Sequence, residues 1–110
     1  MTKTSIGKQI LESILQDLEI NIHMEYKAIP NRKYRIDYAI PSKKLAIEFE
    51  GGIMIKGGTG HRSITNFCSD VEKYNLLAIY GWRLFRVTAL TAKDPETLRK
   101  MITAFIYGNY

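Results

Sequence analysis

Apolar residues fall on a helical period at the start of the chain. Ile6, Ile10, Ile14 and Leu18, flanked by Leu11 and Leu15, form one stripe, which predicts an amphipathic helix over residues 5–20. Thr4 or Ser5 can cap its first turn, and Asn21 sits where it should stop. Residues 22–28 alternate weakly through Ile22, Met24, Tyr26 and Ala28, a short strand that Pro30 and Asn31 break. The period then becomes two. Across residues 34–40 the even positions Tyr34, Ile36, Tyr38 and Ile40 are apolar, and Arg35, Asp37 and Ala39 face the other way. Across residues 45–50 the apolar positions are odd (Leu45, Ile47, Phe49), and Ala46, Glu48 and Glu50 share the opposite face. Residues 41–44, Pro-Ser-Lys-Lys, form a hairpin turn between them.

The register of that hairpin follows from arithmetic. Pairing Ile40 with Leu45 makes partner numbers sum to 85, so Asp37 lies opposite Glu48 and Tyr38 opposite Ile47. A slip of one residue would set apolar side chains against carboxylates, which the pleat does not allow. The pattern therefore gathers Asp37, Glu48 and Glu50 on a single face. Residues 51–63 contain Gly51, Gly52, Gly57, Gly58 and Gly60 and end in His61-Arg62, a flexible loop. A second helix is expected over 64–80, with Ile64, Phe67, Val71, Tyr74 and Ala78 buried and Asp70, Lys73 and Leu77 on the adjoining face. Gly81 ends it, and residues 82–87 are rich in strand formers. Asp94-Pro95-Glu96 starts a third helix, whose buried face is Leu98, Met101, Ile102, Phe105 and Ile106. The order α, β, β-hairpin, α, β, α reads as one mixed α/β layer, a single domain over residues 1–110.

Composition narrows the class. The chain has 110 residues, 45% hydrophobic and 25% charged, which excludes collagen-like, low-complexity and wholly disordered readings. No apolar run approaches the roughly 20 residues that cross a bilayer, so no membrane partner is expected. The first eight residues lack the apolar core of a secretory leader, and a cytoplasmic location is expected. One cysteine, Cys68, forms no internal disulfide or Cys-based zinc knuckle and reads as a small core residue. Sixteen Lys and Arg against eleven Asp and Glu give +5, a tilt toward polyanions. Lys27, Arg32, Lys33, Arg35, Lys43 and Lys44 concentrate that charge around the hairpin, with Tyr26, Tyr34 and Tyr38 interleaved. Such a run can protect an exposed sheet edge and track phosphates, and a mixture of the two is expected, with Arg32 and Lys33 the better phosphate contacts.

Three carboxylates on one sheet face repel one another, a cost that a hard divalent cation reverses. Mg²⁺ takes one or two carboxylates plus waters and a substrate phosphate, and can then assist phosphodiester hydrolysis. The other reading of the same spacing is a solvated face with ion pairs to Arg35 and Lys44.

The residues Arg35-Ile-Asp37-Tyr, Ala46-Ile-Glu48-Phe-Glu50-Gly-Gly, His61, Asp70-x-x-Lys73-Tyr-Asn75 and Gly81-Trp82-Arg83-Leu-Phe-Arg86-Val come in a telling order. Together they resemble the PD-(D/E)XK nuclease superfamily, and within it the small Vsr-like and DUF559-like endonucleases, including short phage- or prophage-encoded members. The resemblance spans about residues 25–88. It implies a restriction-endonuclease-like core, a mixed central sheet flanked by helices, and DNA cleavage with Mg²⁺, for which Mn²⁺ can substitute.

Carried over by position, Asp37 matches the first metal-binding Asp and Glu48 the second acidic residue. Glu50 stands where many members carry the catalytic Lys, although an acid before Gly-Gly is usual in the Vsr-like branch; it becomes a further metal ligand or a water-positioning base. Lys73, on the next helix, is the candidate for the missing positive charge. His61 stands where related members place a His that orients water or protonates the leaving oxygen. Glu12 is the candidate for the acid that the first helix often contributes. Arg32, Lys33, Arg35 and Arg62 are the expected DNA contacts. A chain this short leaves little room for a sequence-reading module, so DNA structure or a partner is expected to direct it, and a homodimer would allow paired cuts. Two other classes remain: a catalytically inactive nuclease fold used for DNA binding or as an accessory protein, and a basic RNA- or protein-binding module with no metal site.

Overall fold

Two alternating faces on the hairpin require a covering layer on each side, and the helices supply them. The computed structural model describes residues 5–50 and 64–108. The expected glycine loop, with His61 and Arg62, lies outside the described residues, as does the side chain of Ile64. The chain runs α1 (Ile6–Asp17), β1 (His23–Tyr26), β2 (Ile36–Ile40), β3 (Leu45–Phe49), α2 (Ile64–Ile79), β4 (Arg83–Val87) and α3 (Pro95–Tyr107). The sheet order is β1-β2-β3-β4. The first two pairings are antiparallel, and β3 with β4 is parallel. A parallel pair needs a crossover, which α2 provides. This is the mixed sheet flanked by helices that the sequence predicts.

The hairpin has the expected register. Tyr38 pairs with Ile47, Ala39 with Ala46 and Ile40 with Leu45. The turn between them is a short 3₁₀ segment, Pro41–Lys43, closed by Lys44 in the left-handed region at φ 55. Tyr38, Ile40, Leu45, Ile47 and Val87 pack against Leu11, Ile14 and Leu15 of α1 and Leu98, Ile102 and Ile106 of α3. The opposite face buries Ala39 and Ala46 with Ile29, Ile36, Leu77 and Trp82.

Several expectations change. α1 stops at Asp17, and Glu19 at φ 53 turns the chain before Asn21 is reached. Its buried side is Leu11, Ile14 and Leu15, while Ile6 is exposed. Ile36 and Tyr34 pack with the second core, not with Tyr38 and Ile40. The strand begins only at Ile36, and on β1 the neighbouring Glu25 takes φ 52, so simple alternation does not extend that far.

The largest correction concerns α2. Phe67, Val71 and Ala78 are exposed, and the inward side carries Lys73, Tyr74 and Leu77, with Asp70 half-buried. The sheet beneath α2 ends in carboxylates, so polar side chains that can satisfy them turn inward. Hydrophobic periodicity does not register that preference. Cys68 is exposed rather than in the core, and Met101 is exposed beside the buried line Leu98, Ile102 and Ile106.

The end of α2 and the start of α3 have defined chemistry. At the end of α2 the Gly81 N–H donates to the Ala78 carbonyl and the Trp82 N–H to the Leu77 carbonyl, with Gly81 at φ 85. A Cβ there would meet nothing closer than Lys44 Nζ at 3.7 Å, so the requirement for glycine is one of backbone conformation. Asp94 caps α3 by accepting from the Thr97 N–H, and hydrogen bonds from the Thr97 side chain and then its N–H hold the Asp94 carboxyl below the usual range.

Gly81→Ala should therefore cost about 1–2 kcal/mol in urea unfolding, from left-handed backbone strain. Asp94→Ala should lower Tm at pH 7. Because the pKa of Asp94 is depressed, its stabilisation is complete above the ordinary Asp pKa and fades as pH falls through the folded value. The Tm gap to wild type should close on acidification.

Candidate functional site

At the end of the hairpin away from its turn, backbone pairing gives way to side chains. The Asp37 N–H donates to Glu48 Oε2 at 2.8 Å, and the Phe49 N–H donates to Asp37 Oδ2 at 2.9 Å. Each carboxylate thus holds the backbone of the opposite strand, and the two acids lie side by side. Lys73 of α2 compensates the charge. Its Nζ donates to Glu48 Oε1 at 2.9 Å and to the Arg35 carbonyl at 2.6 Å. The Lys73 and Glu48 side chains are only 13% and 9% exposed. Burial pushes the Glu48 carboxyl above the usual range, with the Asp37 charge adding to the rise; the Asp37 amide and Lys73 pull it back.

Glu50 continues the same face. Its Oε2 accepts from the Tyr74 hydroxyl at 2.7 Å and from Arg86 Nε at 3.0 Å. The Arg86 guanidinium lies over the Tyr74 ring, 4.8 Å from its centroid. Burial, then the bond to Glu50, pushes the Tyr74 phenol well up, so it remains a donor. Arg86 is also the direct neighbour of Glu48 across the parallel β3/β4 pairing. Sequence reasoning brought Asp37, Glu48, Glu50 and Lys73 together. It read Tyr74 as core and gave Arg86 no role. The available signal was a charged residue at Arg86 within the otherwise apolar run 84–87.

The remaining candidates are dispersed. Glu12 accepts from the Tyr38 hydroxyl at 2.5 Å and, with Leu15, Gln16, Asn21 and Met24, lines a cavity of about 330 Å³. Tyr38 packs in the α1–α3 core, so Glu12 meets the residue beside Asp37 and not the Asp37–Glu48 pair itself. Arg32, Lys33 and Arg35 are exposed on the segment entering β2. Arg32 lies 3.8 Å from Glu72 of α2, which also accepts from the Tyr34 hydroxyl. Lys43 and Lys44 sit at the turn, about 13 Å along β2 from Asp37. Lys44 donates to the Tyr80 carbonyl. His61 and Arg62 lie outside the described residues.

Among the described residues, no group of three or more His, Cys, Asp or Glu is arranged to hold a metal ion. The hard-oxygen donors present are the adjacent carboxylates of Asp37 and Glu48. Asp37 Oδ1 accepts no hydrogen bond among the described residues. That set suits a hard cation completed by water and a phosphate, rather than a closed protein cage.

No family model matches the chain, and no curated protein matches it. A solved structure does: the chain is similar to the catalytic domain of the homing endonuclease I-Bth0305I, with a TM-score of 0.69 and 19% identity, over 93% of this chain and 94% of that one. The likeness establishes a shared fold. Among the described residues, no helix is long and apolar enough to cross a membrane.

The geometry yields a stability test. Lys73→Met leaves the buried Glu48 carboxylate without its cation and should cost about 2 kcal/mol or more at pH 7. A raised carboxyl pKa favours the fold below the unfolded value and works against it as pH rises through the folded one. The Tm deficit of Lys73→Met should therefore shrink on acidification, because protonated Glu48 tolerates burial.

Proposed function

We propose that this chain is a divalent-metal-dependent endonuclease of PD-(D/E)XK type, in the Vsr-like and DUF559-like branch, that hydrolyses phosphodiester bonds in DNA. The observation that carries the reading is the Asp37–Glu48 pair, held side by side by reciprocal backbone bonds and by Lys73. Its fold is shared with a homing endonuclease catalytic domain. Asp37 and Glu48 would hold Mg²⁺ or Mn²⁺, with Glu50 as a further ligand or water-positioning base. When bound, such an ion lowers the pKa of a water and stabilises charge on the reacting phosphate. Lys73 fixes the rotamer of Glu48 and adds positive charge to the face. His61 is assigned to orient the attacking water or to protonate the leaving oxygen. Arg32, Lys33, Arg35 and Arg62 are assigned to the phosphate backbone, which predicts steep salt dependence of binding. DNA structure or a partner would set specificity, and paired cuts would come from a homodimer.

A second reading has a specific observation behind it. Glu48 and Glu50 are both engaged by donors, namely Lys73, Tyr74 and Arg86. A network closed in this way would suit an inactive nuclease fold that binds DNA as an accessory protein.

A cleavage panel of linear, nicked, mismatched and branched DNA decides between them. Cleavage should appear with Mg²⁺ or Mn²⁺ and vanish in EDTA. Asp37→Asn keeps an oxygen for the Phe49 N–H while removing the charge, so it should retain the fold and lose at least about 100-fold in rate. Binding without cleavage in either metal would favour the accessory reading. A variant as fast as wild type would remove Asp37 from the chemistry.

A further inference from the structure

We infer that Arg86 is the residue that grips a phosphate oxygen of the bound strand, supplying through β4 the cationic contact that the hairpin lacks at Glu50. The inference deepens the nuclease reading and rests on it for the identity of the anion.

The guanidinium is fixed before any ligand arrives. Nε donates to Glu50 Oε2, the plane lies over the Tyr74 ring, and Tyr74 is itself anchored to the same carboxylate oxygen. Orientation by ring and carboxylate together leaves little rotamer freedom to lose on binding. The contact to Glu50 uses one N–H only. The terminal nitrogens of Arg86 make no hydrogen bond among the described residues, so a fork remains for two oxygens of a phosphate.

Exposure separates Arg86 from its carboxylate. The Arg86 side chain is 53% exposed and that of Glu50 10%. The guanidinium therefore compensates the nearly buried Glu50 carboxylate while half of it stays open to solvent and to a ligand. Placement completes the case, because Arg86 neighbours Glu48 on the adjacent strand. Lys73, which also reaches this face, is nearly buried, with bonds to Glu48 and the Arg35 carbonyl. The two cations therefore divide the work: Lys73 holds the acidic pair, and Arg86 meets the strand.

The test uses the full chain and a fluorescein-labelled DNA duplex. Binding is followed by anisotropy over a salt series with Ca²⁺ in place of Mg²⁺, and single-turnover cleavage is measured with Mg²⁺. Arg86→Gln should lower the slope of log K against log salt by about 0.9, the value of one phosphate contact, and slow cleavage at least about 10-fold. Arg86→Lys should keep the slope but remain at least about 10-fold slow, because an ammonium lacks the planar fork. Melting curves establish that each variant folds, and if Arg86→Gln does not, Arg86→Lys decides: a wild-type rate overturns the proposal.

A folded Arg86→Gln with an unchanged slope and a rate within about twofold of wild type also overturns it, while wild-type cleavage leaves the nuclease reading standing. If wild type binds DNA but cuts nothing in Mg²⁺ or Mn²⁺, the nuclease reading fails and the slope alone decides Arg86. Absence of DNA binding by wild type overturns both.

Discussion

Two carboxylates placed where a β-ladder would otherwise continue set the terms for everything around them. Asp37 and Glu48 replace the next backbone pairing of the β2/β3 hairpin, each accepting an N–H from the opposite strand. Such an arrangement keeps the acids adjacent at fixed geometry, and it also concentrates like charge in a partly buried place. The rest of the face answers that charge. Lys73 reaches down from α2 to Glu48, and Arg86 reaches across from β4 to Glu50 with Tyr74 beneath it. The orientation of α2 follows from the same need: the helix gives up burial of Phe67 and Val71 and turns its polar side to the sheet.

The parts of the fold legible in the sequence were those governed by alternation and caps. The sum-of-85 register could be read because a one-residue slip would bring every hairpin side chain to the wrong face. Gly81, Asp94 and Pro95 announced helix ends through requirements that few residues meet. What escaped was the rotation of α2, since its inward face is chosen by hydrogen bonds to carboxylates and a hydrophobic stripe elsewhere on the helix points the wrong way. Cys68 was misplaced for the same reason, because it shares the side of α2 that the rotation leaves in solvent.

The candidate site divides along similar lines. Asp37, Glu48 and Glu50 were grouped by strand parity alone, and Lys73 by the resemblance and the absent hairpin lysine. Tyr74 and Arg86 were missed because their partnership spans α2, β3 and β4, a contact between elements distant in sequence. Glu12 was placed correctly on α1, yet its partner is Tyr38, a core residue whose hydroxyl needs an acceptor. A helix position tells which acid approaches the sheet but not which side chain meets it.

Lysine, arginine and tyrosine donors keep the acidic face tolerable without removing its capacity for a hard ion, since a carboxylate offers more lone pairs than these bonds consume. Whether the face receives such an ion is the central claim, and calorimetric titration with Mn²⁺ tests it most directly. The account predicts saturable binding to the wild-type chain that Glu48→Gln abolishes. Absence of binding, or binding that Glu48→Gln leaves unchanged, would contradict it.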